Sequence, residues 1–312
     1  LERELGRASY GLQMLIARPS NILRGCTGSQ IEEYLLPTIR GERHDCLAMT
    51  EPNAGSDVRG MLTTAVRDGD GYVINGSKHF ISHADMADYV ILFAATGVEE
   101  TKAGPKKKIT GFLVDFDTPG MTRRRGPACV SHRGYHQCEL FFDNMRVPVS
   151  KRLGEEGKGF KYILDGLNAE RALIAAECIG DGYWFIDRVS AYVKDRIVFG
   201  RPIGQNQGVQ FPIARAYVNV EAASLMRYEA CRLYDAKQHC GTQANMAKLL
   251  AADASWEAAN ACLQFHGGFG FACEYDVERK FRETRLYQVA PISTNLILSY
   301  VAEHVLGLPR SL

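Results

Sequence analysis

The sequence lacks three features that would each indicate a particular class of protein: an excess of charge, a long apolar run and paired cysteines. Lysine and arginine total 37 and aspartate and glutamate total 36, so the net charge is +1 with histidine neutral. Such a chain has no global field to attract nucleic acid or an anionic membrane, and both partners are disfavoured. No apolar run approaches the roughly 18 residues that a membrane span requires, so we expect none.

The nine cysteines are scattered along the chain and form no Cys-x-x-Cys pair. Because their number is also odd, reduced thiols in an intracellular compartment are the simplest interpretation. A bacterial cytoplasm and a mitochondrial matrix are equally compatible with it. The sequence has no initiator methionine and no leader pattern, and its first residues already have helical spacing, so we expect a chain that starts inside a helix.

What is present is typical of a globular protein, with 46% hydrophobic and 23% charged residues. The length of 312 residues is enough for about two domains. Apolar residues at helical spacing predict a first helix from Leu1 to about Ile16. A second helix is predicted to begin at a capping box formed by Ser29 and Glu32 and to end near Pro37.

The residue pattern then changes twice, from helical periodicity to short β-type runs and back, which predicts an α+β protein. Short β-branched and aromatic runs between turn residues predict a β domain over residues 45–153, after a helical region over residues 1–44. Its predicted strands include Tyr72–Ile74, Tyr89–Phe93, Ile109–Phe116 and Glu139–Phe142. Helical periodicity predicts a four-helix bundle over residues 154–312, with the helices Phe160–Arg196, Gln207–Gln238, Gln243–His266 and Pro291–Leu306.

Two segments of the β domain carry residues suited to ligand binding. Met49–Asp57 combines small residues with two hydroxyls, which leaves backbone N–H groups approachable by a planar polar ligand or a phosphate. A well-made turn explains this segment equally well. In Ile74–Ser82, Phe80 and Ser82 lie two residues apart on one strand face, where one side chain can stack on a ring and the other can donate to it. Packing alone is the alternative explanation.

These two segments in this order, followed by a helical bundle, resemble the acyl-CoA dehydrogenase family of flavoenzymes. Further blocks match the family pattern in collinear order: Gly157–Phe160, Asp195–Ile203, Gln207, Gln264–Gly270 and Arg282–Gln288. The resemblance implies an N-terminal helical domain, a middle β domain of barrel or sandwich type and a C-terminal four-helix bundle. It also implies that residues 1–44 are the remnant of the first domain, most of whose helices are absent.

The resemblance implies FAD as the cofactor and assigns residues to it by position. Met49 and Thr50 match residues at the edge of the isoalloxazine ring. Phe80 stands where the family has a tryptophan packed on the flavin, and Ser82 stands where it has a threonine near N5. Both replacements keep the group that the family uses, an aromatic face and a hydroxyl.

A second group of matched residues implies a cofactor site shared between subunits, and hence a homodimer or homotetramer. Arg196, Phe199 and Gln207 match residues that reach the FAD of a neighbouring subunit, and Gln264 and Gly268 match residues on its pyrophosphate. A helix-ending turn is the alternative explanation for the glycines around Gly268. Two further candidates for hydrogen bonds to FAD lie near the last helix, Ser293 and Asn295.

The family's reaction removes an α-proton from an acyl-CoA while the β-hydrogen leaves as hydride to flavin N5, and the electrons pass to an electron-transfer flavoprotein. The commonest position of the base glutamate corresponds to Pro291, and proline cannot act as a base. The segment ending in Glu170 and Arg171 resembles instead the arrangement in isovaleryl-CoA and long-chain acyl-CoA dehydrogenases. Glu170 is therefore the candidate base, with a surface carboxylate or a partner of Arg171 as the structural alternative. Glu177, on the same helical face, is the reserve candidate.

The resemblance also implies contacts to the substrate. Ser56 matches a residue near the thioester and the pantetheine phosphates, Arg171 matches a residue on CoA, and Asn168 stands where an aspartate is often found. Pro291 removes a backbone N–H from the position that polarises the thioester carbonyl, so either Ile292 donates instead or one donor is missing. Three hypotheses follow: an acyl-CoA dehydrogenase that uses Glu170, the same fold with acyl-CoA oxidase-like chemistry, and an inactive or flavin-binding scaffold.

Overall fold

The structure, a computed structural model, describes residues 1–10, 16, 18–101, 104–131, 133–134 and 136–310. The chain forms two compact units, one made of Leu1–Gln13 with Leu167–Leu312 and the other of Met14–Gly166. The first is helical and the second is built on a β-sheet, so the predicted α+β class is confirmed. No helix of the described residues is long and apolar enough to cross a lipid bilayer.

The described residues of the sheet unit form eight strands in one continuous sheet. Their order is β6-β7-β3-β2-β4-β5-β8, and β1 pairs in parallel with β4. The strands are β1 (Asp45–Ala48), β2 (Thr64–Asp68), β3 (Gly71–Ser82), β4 (Tyr89–Thr101), β5 (Gly104–Asp115), β6 (Met121–Arg125), β7 (Gln137–Pro148) and β8 (Arg152–Leu153).

The four strands that the sequence predicts lie within β3, β4, β5 and β7. The apolar run Tyr89–Phe93 is fully buried, because β1 and β5 both pair with β4 and each face of this strand packs against other residues. Alternating burial along β3 and β7 instead leaves one face more accessible. Their core includes Tyr72, Ile74, Leu140 and Met145.

The helical segment before the sheet differs in detail from the prediction. A π-helical turn, Ile31–Leu35, leads directly into α2 (Leu36–Arg40), and no side chain caps its start. Pro37 lies inside this helical segment, at the start of α2, where its missing N–H is tolerated. The helix ends instead at Gly41, whose φ of 72° is the left-handed conformation that favours glycine.

The first predicted helix is described only in part. The described residues contain α1 (Glu2–Gly6), while the predicted helical positions 12 and 15 lie outside them. In the helical unit, a Cβ atom on Gly6 would lie 2.3 Å from the Glu177 carbonyl oxygen, and one on Gly180 would lie 2.0 Å from the Arg3 oxygen. Glycine at both positions therefore allows α1 to pack in backbone contact with the helix that carries Glu177.

The carboxyl of Asp45 gives the sheet unit an expected pH dependence. Burial raises the pKa of Asp45 from 3.8 to about 6, even though the Ser20 N–H donates to it. The folded protein then binds more protons than the unfolded chain between these two values, so stability falls as the pH rises through this window and stays lower above it. We expect Asp45→Asn to be more stable at pH 7.5 by up to about 3 kcal/mol.

Urea denaturation at pH 4.5 and pH 7.5 measures this effect. The gain should be largest at pH 7.5, and Asp117→Asn, at an exposed position, should change stability by less than about 0.5 kcal/mol at both values. Equal stability of Asp45→Asn and the parent protein at pH 7.5 would contradict the prediction.

The helical unit contains the long helices that the sequence predicts. They are α3 (Gly159–Asp195), whose first residues belong to the sheet unit, α4 (Gln207–Asp235), α5 (Gly241–His266) and α7 (Thr294–Tyr300), which a π-helical turn extends through Val305. Small residues of α4 and α5 form much of the core, among them Ala216, Val220, Ala247 and Ala251. The unit also contains two elements that were not predicted from the sequence, the short helix α6 (Val277–Thr284) and the hairpin of β9 (Ile197–Val198) and β10 (Arg201–Pro202).

Candidate active site and cofactor clefts

Four of the predicted cofactor residues line one cleft of about 880 Å³ in the helical unit: Arg196, Phe199, Gln264 and Gly268. Arg196 directly follows α3, and Phe199 lies in the turn of the β9–β10 hairpin. Gln264 belongs to the last turn of α5, which ends at Gly267 with a φ of 57°. The glycine turn therefore ends the helix, as the simpler explanation held, and also lines the cleft.

The chemistry of the cleft suits an anionic group. Its described lining contains two arginines and no carboxylate. Arg201 donates to the Asn206 side chain at 2.7 Å, whereas the Arg196 guanidinium lies 5.6 Å from the Phe269 ring centre and forms no ion pair with a described carboxylate. A Cβ atom on Gly268 would meet nothing within 4 Å, so a ligand can approach this backbone closely. These residues fit the pyrophosphate of FAD.

Two of the predicted residues, Gln207 beside the cleft and Phe199 in its lining, indicate that one chain alone does not complete the site. Gln207, the first residue of α4, is exposed and does not belong to the cleft lining. Phe199 is 101% exposed and has a φ of 52°. A large aromatic side chain rarely adopts this left-handed conformation, and such backbone strain clusters at functional positions.

In the sheet unit, a buried ion pair that the sequence analysis missed anchors the predicted flavin-edge residues. The Lys78 ammonium lies 2.8 Å from the Glu51 carboxylate and donates to the Met49 carbonyl at 3.0 Å. The Glu51 carboxylate also accepts the N–H groups of Leu62 and Thr63 at 2.6 and 3.0 Å. The segment that holds Met49 is thereby tied to β3 and to the start of β2.

Opposing effects of burial and hydrogen bonding act on the pKa values of the two partners. Burial acts to raise the pKa of Glu51, but hydrogen bonds from Lys78 and from the Leu62 N–H outweigh it, and the net pKa is lowered. Burial lowers the pKa of Lys78, and the adjacent carboxylate opposes that shift. The sequence contains one indication of this ion pair, the position of Lys78 in a strand whose residues alternate in burial. A charged residue in such a strand normally lies on the exposed face.

A β-bulge determines where Phe80 points. Lys78 pairs with Leu140 and Ile81 pairs with Cys138, so His79 and Phe80 together oppose the single residue Glu139. The extra residue shifts the alternation of β3, since Lys78 and Ile81 are both buried while Phe80 is half-exposed with a φ of 57°. The predicted aromatic is therefore turned outward from the core.

The bulge also brings the predicted loop and strand residues together. The His79 N–H donates to the Thr50 carbonyl at 2.9 Å, and the His79 ring packs edge-on against Phe80 with ring centres 4.3 Å apart. Two residues beyond Phe80, the Ser82 hydroxyl exchanges hydrogen bonds with the Gln137 side chain at 3.0 and 3.1 Å. Ser56 lies in an exposed bend of the same unit.

The two candidate bases on α3 lie in different environments. Glu170 is exposed, whereas Glu177, two turns further along the same face, is 1% exposed. The Tyr287 hydroxyl donates to the Glu177 carboxylate at 3.3 Å, and Tyr287 is itself buried. Access to a soluble substrate therefore favours Glu170, and the surroundings of Glu177 favour a structural role.

The predicted CoA contacts Arg171 and Asn168 are neighbours on α3. The Arg171 guanidinium donates to the Asn168 side-chain oxygen at 3.0 Å. Its Nε atom is buried, and no described residue accepts a hydrogen bond from it. Burial lowers the pKa of Arg171. Because no described residue accepts from its buried Nε, the guanidinium is suited to an acceptor on a ligand.

The segment around Pro291 lies between the described helices α6 and α7. The Ser293 hydroxyl accepts the Leu296 N–H at 3.3 Å and so caps α7, while Asn295 is exposed on its first turn. Within the described part of the chain, the Ile292 N–H donates to no other residue. It is the backbone donor nearest in sequence to the one that Pro291 lacks.

Two models of known protein families together match most of the chain. Residues 46–145 match the family described as acyl-CoA dehydrogenase, middle domain, and residues 157–306 match acyl-CoA dehydrogenase, C-terminal domain. An acyl-CoA dehydrogenase from Bacillus subtilis is 35% identical over 275 residues, which is 88% of this chain and 72% of that protein. Subunit CarC of the caffeyl-CoA reductase–Etf complex from Acetobacterium woodii is 34% identical over 291 residues, 92% of this chain and 76% of that protein.

The fold of the chain is also similar to solved structures. The butyryl-CoA dehydrogenase from Megasphaera elsdenii superposes with a TM-score of 0.89 at 29% identity, and the match covers 98% of this chain and 80% of that one. The FAD complex of PigA superposes with a TM-score of 0.91 at 27% identity, covering 98% of this chain and 81% of that one.

Proposed function

Because this chain belongs to the acyl-CoA dehydrogenase family, we propose that it oxidises the Cα–Cβ bond of an acyl-CoA thioester with Glu170 as the base. Its family makes it an oxidoreductase that acts on CH–CH bonds, with FAD as cofactor. FAD supplies the two-electron oxidising capacity of such a reaction, which no amino-acid side chain provides. The protein has to bind both molecules, polarise the carbonyl and accept the α-proton.

The observation that carries the proposal is the cleft in the helical unit, which gathers Arg196, Phe199, Gln264 and Gly268 and has no carboxylate among its described lining residues. There Arg196 neutralises the FAD pyrophosphate while the Gly268 backbone approaches it. Gln207, Ser293 and Asn295 add polar contacts. In the sheet unit, Met49 and Thr50 contact the ring edge, Phe80 packs on its face and Ser82 donates near N5.

On the substrate side, Glu170 accepts the α-proton and the Ile292 N–H donates to the thioester carbonyl. An exposed carboxylate reaches the α-carbon without the displacement of core residues. The carbonyl donor stabilises the negative charge that develops on oxygen as the α-proton leaves. Arg171, Asn168 and Ser56 hold the CoA portion, and the buried Nε of Arg171 supplies a donor that no described residue uses.

We propose that a second copy of the chain covers Phe199 and completes the cofactor site. An apolar stripe on α4 supports a homodimer or a homotetramer built from such pairs. Phe211, Val218 and Leu225 recur every seven residues along it and are 61%, 59% and 71% exposed. Such a stripe on a helix surface is typical of a protein–protein contact.

Phe199→Asn tests this assembly. Asparagine tolerates the left-handed conformation, so the change removes the aromatic ring without adding backbone strain. Loss of about 2 kcal/mol of burial should raise the dissociation constant of the oligomer by about 30-fold and weaken FAD binding with it. Analytical ultracentrifugation and FAD titration measure both quantities. Phe271→Asn, at another exposed phenylalanine, is the control, and an unchanged oligomer in Phe199→Asn would contradict the assembly.

The proposal also covers the domain bounds, the electron acceptor and the cellular location of the protein. We propose domains over residues 1–44, 45–153 and 154–312, with the first a remnant of the N-terminal helical domain. An electron-transfer flavoprotein is the proposed acceptor, supported by the relative that is named as a subunit of an Etf complex. All nine cysteines are free thiols, which supports a bacterial cytoplasm or a mitochondrial matrix as the location.

Anaerobic titration with acyl-CoA thioesters of increasing chain length tests the reaction. The flavin absorbance of the FAD-loaded protein should bleach with at least one thioester, and an enoyl-CoA should form in equal amount. Stoichiometric peroxide in air would favour the oxidase-like alternative. A purified protein that binds no added FAD would favour the scaffold hypothesis and contradict the proposal.

A further inference from the structure

Lys248 is a buried charge that the proposed reaction does not use. It lies in the first half of α5, and its side chain is fully buried among core residues. Its ammonium donates to the carbonyl oxygen of Tyr287 and to that of Ile292, the latter at 2.7 Å. These two carbonyls stand at opposite ends of the segment that contains Pro291.

The partners of Lys248 are unusual for a buried cation. A buried charge is normally compensated by an opposite charge, since desolvation costs several kcal/mol. Among the described residues no carboxylate lies within ion-pair distance of Lys248, and both acceptors of its ammonium are main-chain carbonyls. Burial accordingly lowers the pKa of Lys248. The ammonium of Lys248 therefore binds main-chain carbonyls only, and both of them belong to the segment Tyr287–Ile292.

The same segment is held at two further points. The Tyr287 hydroxyl donates to buried Glu177 at 3.3 Å, and the Gln288 side chain donates to Asp253 at 3.0 Å. With the two contacts of Lys248, the backbone is fixed on both sides of Pro291. The segment leaves a 3₁₀-helical turn, Arg285–Gln288, and has no regular secondary structure from Val289 to Ile292. Such loops are otherwise among the more mobile parts of a protein.

The contact with Ile292 also sets the direction of a peptide group. In a trans peptide the C=O and the following N–H point to opposite sides. Since the Ile292 carbonyl is turned toward buried Lys248, the Ser293 N–H is turned away from it. Within the described residues, neither the Ile292 N–H nor the Ser293 N–H donates to another group. Lys248 therefore fixes the orientation of the Ser293 N–H, an unsatisfied donor two residues after Pro291.

We propose that Lys248 is a positioning residue for the thioester-binding segment Tyr287–Ser293. By holding the carbonyls on both sides of Pro291, it keeps a backbone N–H aimed at the substrate carbonyl although proline supplies none. The inference rests on the proposed function, because the segment has this task only if an acyl thioester binds beside it. Lys248 touches neither substrate nor cofactor and acts through the backbone.

The test compares Lys248→Met, which removes the donors but keeps a similar stem, with Lys248→Arg, which keeps charge and donors, and with Lys237→Met at an exposed control position. Loss of one carbonyl donor reduces rates by about 100-fold. We expect kcat of Lys248→Met to fall about 100-fold while KM and FAD affinity stay within threefold, and Lys248→Arg to recover most of the rate. A kcat within tenfold of the parent, or an equal rise in KM, overturns the proposal.

Hydrogen–deuterium exchange gives a readout that does not depend on turnover. Amides of residues 288–296 should exchange at least tenfold faster in Lys248→Met, with the rest of α5 unchanged. Exchange that rises across the whole helical unit, or not at all, overturns the proposal. If Lys248→Met does not fold, Lys248→Gln, which removes the charge and shortens the side chain, is scored by the same criteria. If the parent protein oxidises no thioester, the proposed function fails, while exchange still decides whether Lys248 holds the segment.

Discussion

Glu170→Gln is expected to bind FAD normally and to lose reduction by acyl-CoA by about 100- to 10,000-fold, the usual contribution of a general base. Glutamine has nearly the same shape as glutamate but cannot accept the α-proton. Glu170 is exposed, so the change should leave the stability of the protein within about 0.5 kcal/mol. Stopped-flow measurement of flavin bleaching under anaerobic conditions gives the rate.

Glu177→Gln is the matched control on the same face of the same helix. Its amide oxygen still accepts the Tyr287 hydroxyl, so the pair observed at 3.3 Å is kept in altered form. We expect its bleaching rate to stay within tenfold of the parent and its melting temperature to fall. Full-rate bleaching in Glu170→Gln together with a lost reaction in Glu177→Gln would reverse the two assignments.

The elements that the sequence predicted best are those with a long apolar period. α3, α4 and α5 bury a continuous stripe, and β4 buries both faces, so composition and spacing alone locate them. The short helix α6 was missed because Val277 and Phe281 are its only hydrophobic residues, and it carries buried Lys280. The spacing of hydrophobic residues indicates which apolar side chains are buried, but it does not indicate a buried charge.

The same reason explains what was missed at the candidate site. Motif positions such as Arg196 and Gly268 are recognised from their types and order, and the structure brings them into one cleft. The side chains that hold backbone in place, Lys78 and Lys248, are lysines, and a lysine in a sequence predicts solvent exposure. The bulge at Phe80 was also missed, since one extra residue in a strand leaves no signature in composition.

Lys78→Met is expected to destabilise the sheet unit by about 3–5 kcal/mol at pH 7.5, because it leaves the Glu51 carboxylate buried without its cation. The methionine fills similar volume, so the loss reflects charge rather than a cavity. Met49 also loses the donor to its carbonyl, so FAD affinity should fall in the same variant. Denaturant unfolding and FAD titration measure the two losses.

The sign of the pH dependence separates this explanation from a simple packing defect. In the parent protein the lowered pKa of Glu51 contributes stability above its ordinary value of 4.5, and this contribution is lost as the pH falls. Without Lys78 the desolvation of Glu51 is less opposed and its pKa should rise, so acidification from pH 7.5 to 5 should stabilise the variant. Lys106→Met is the control, since Lys106 forms an exposed ion pair with Glu99 at 3.3 Å that contributes less than about 1 kcal/mol. A Lys78→Met protein that loses stability on acidification, as the parent does, would show that Glu51 finds another partner.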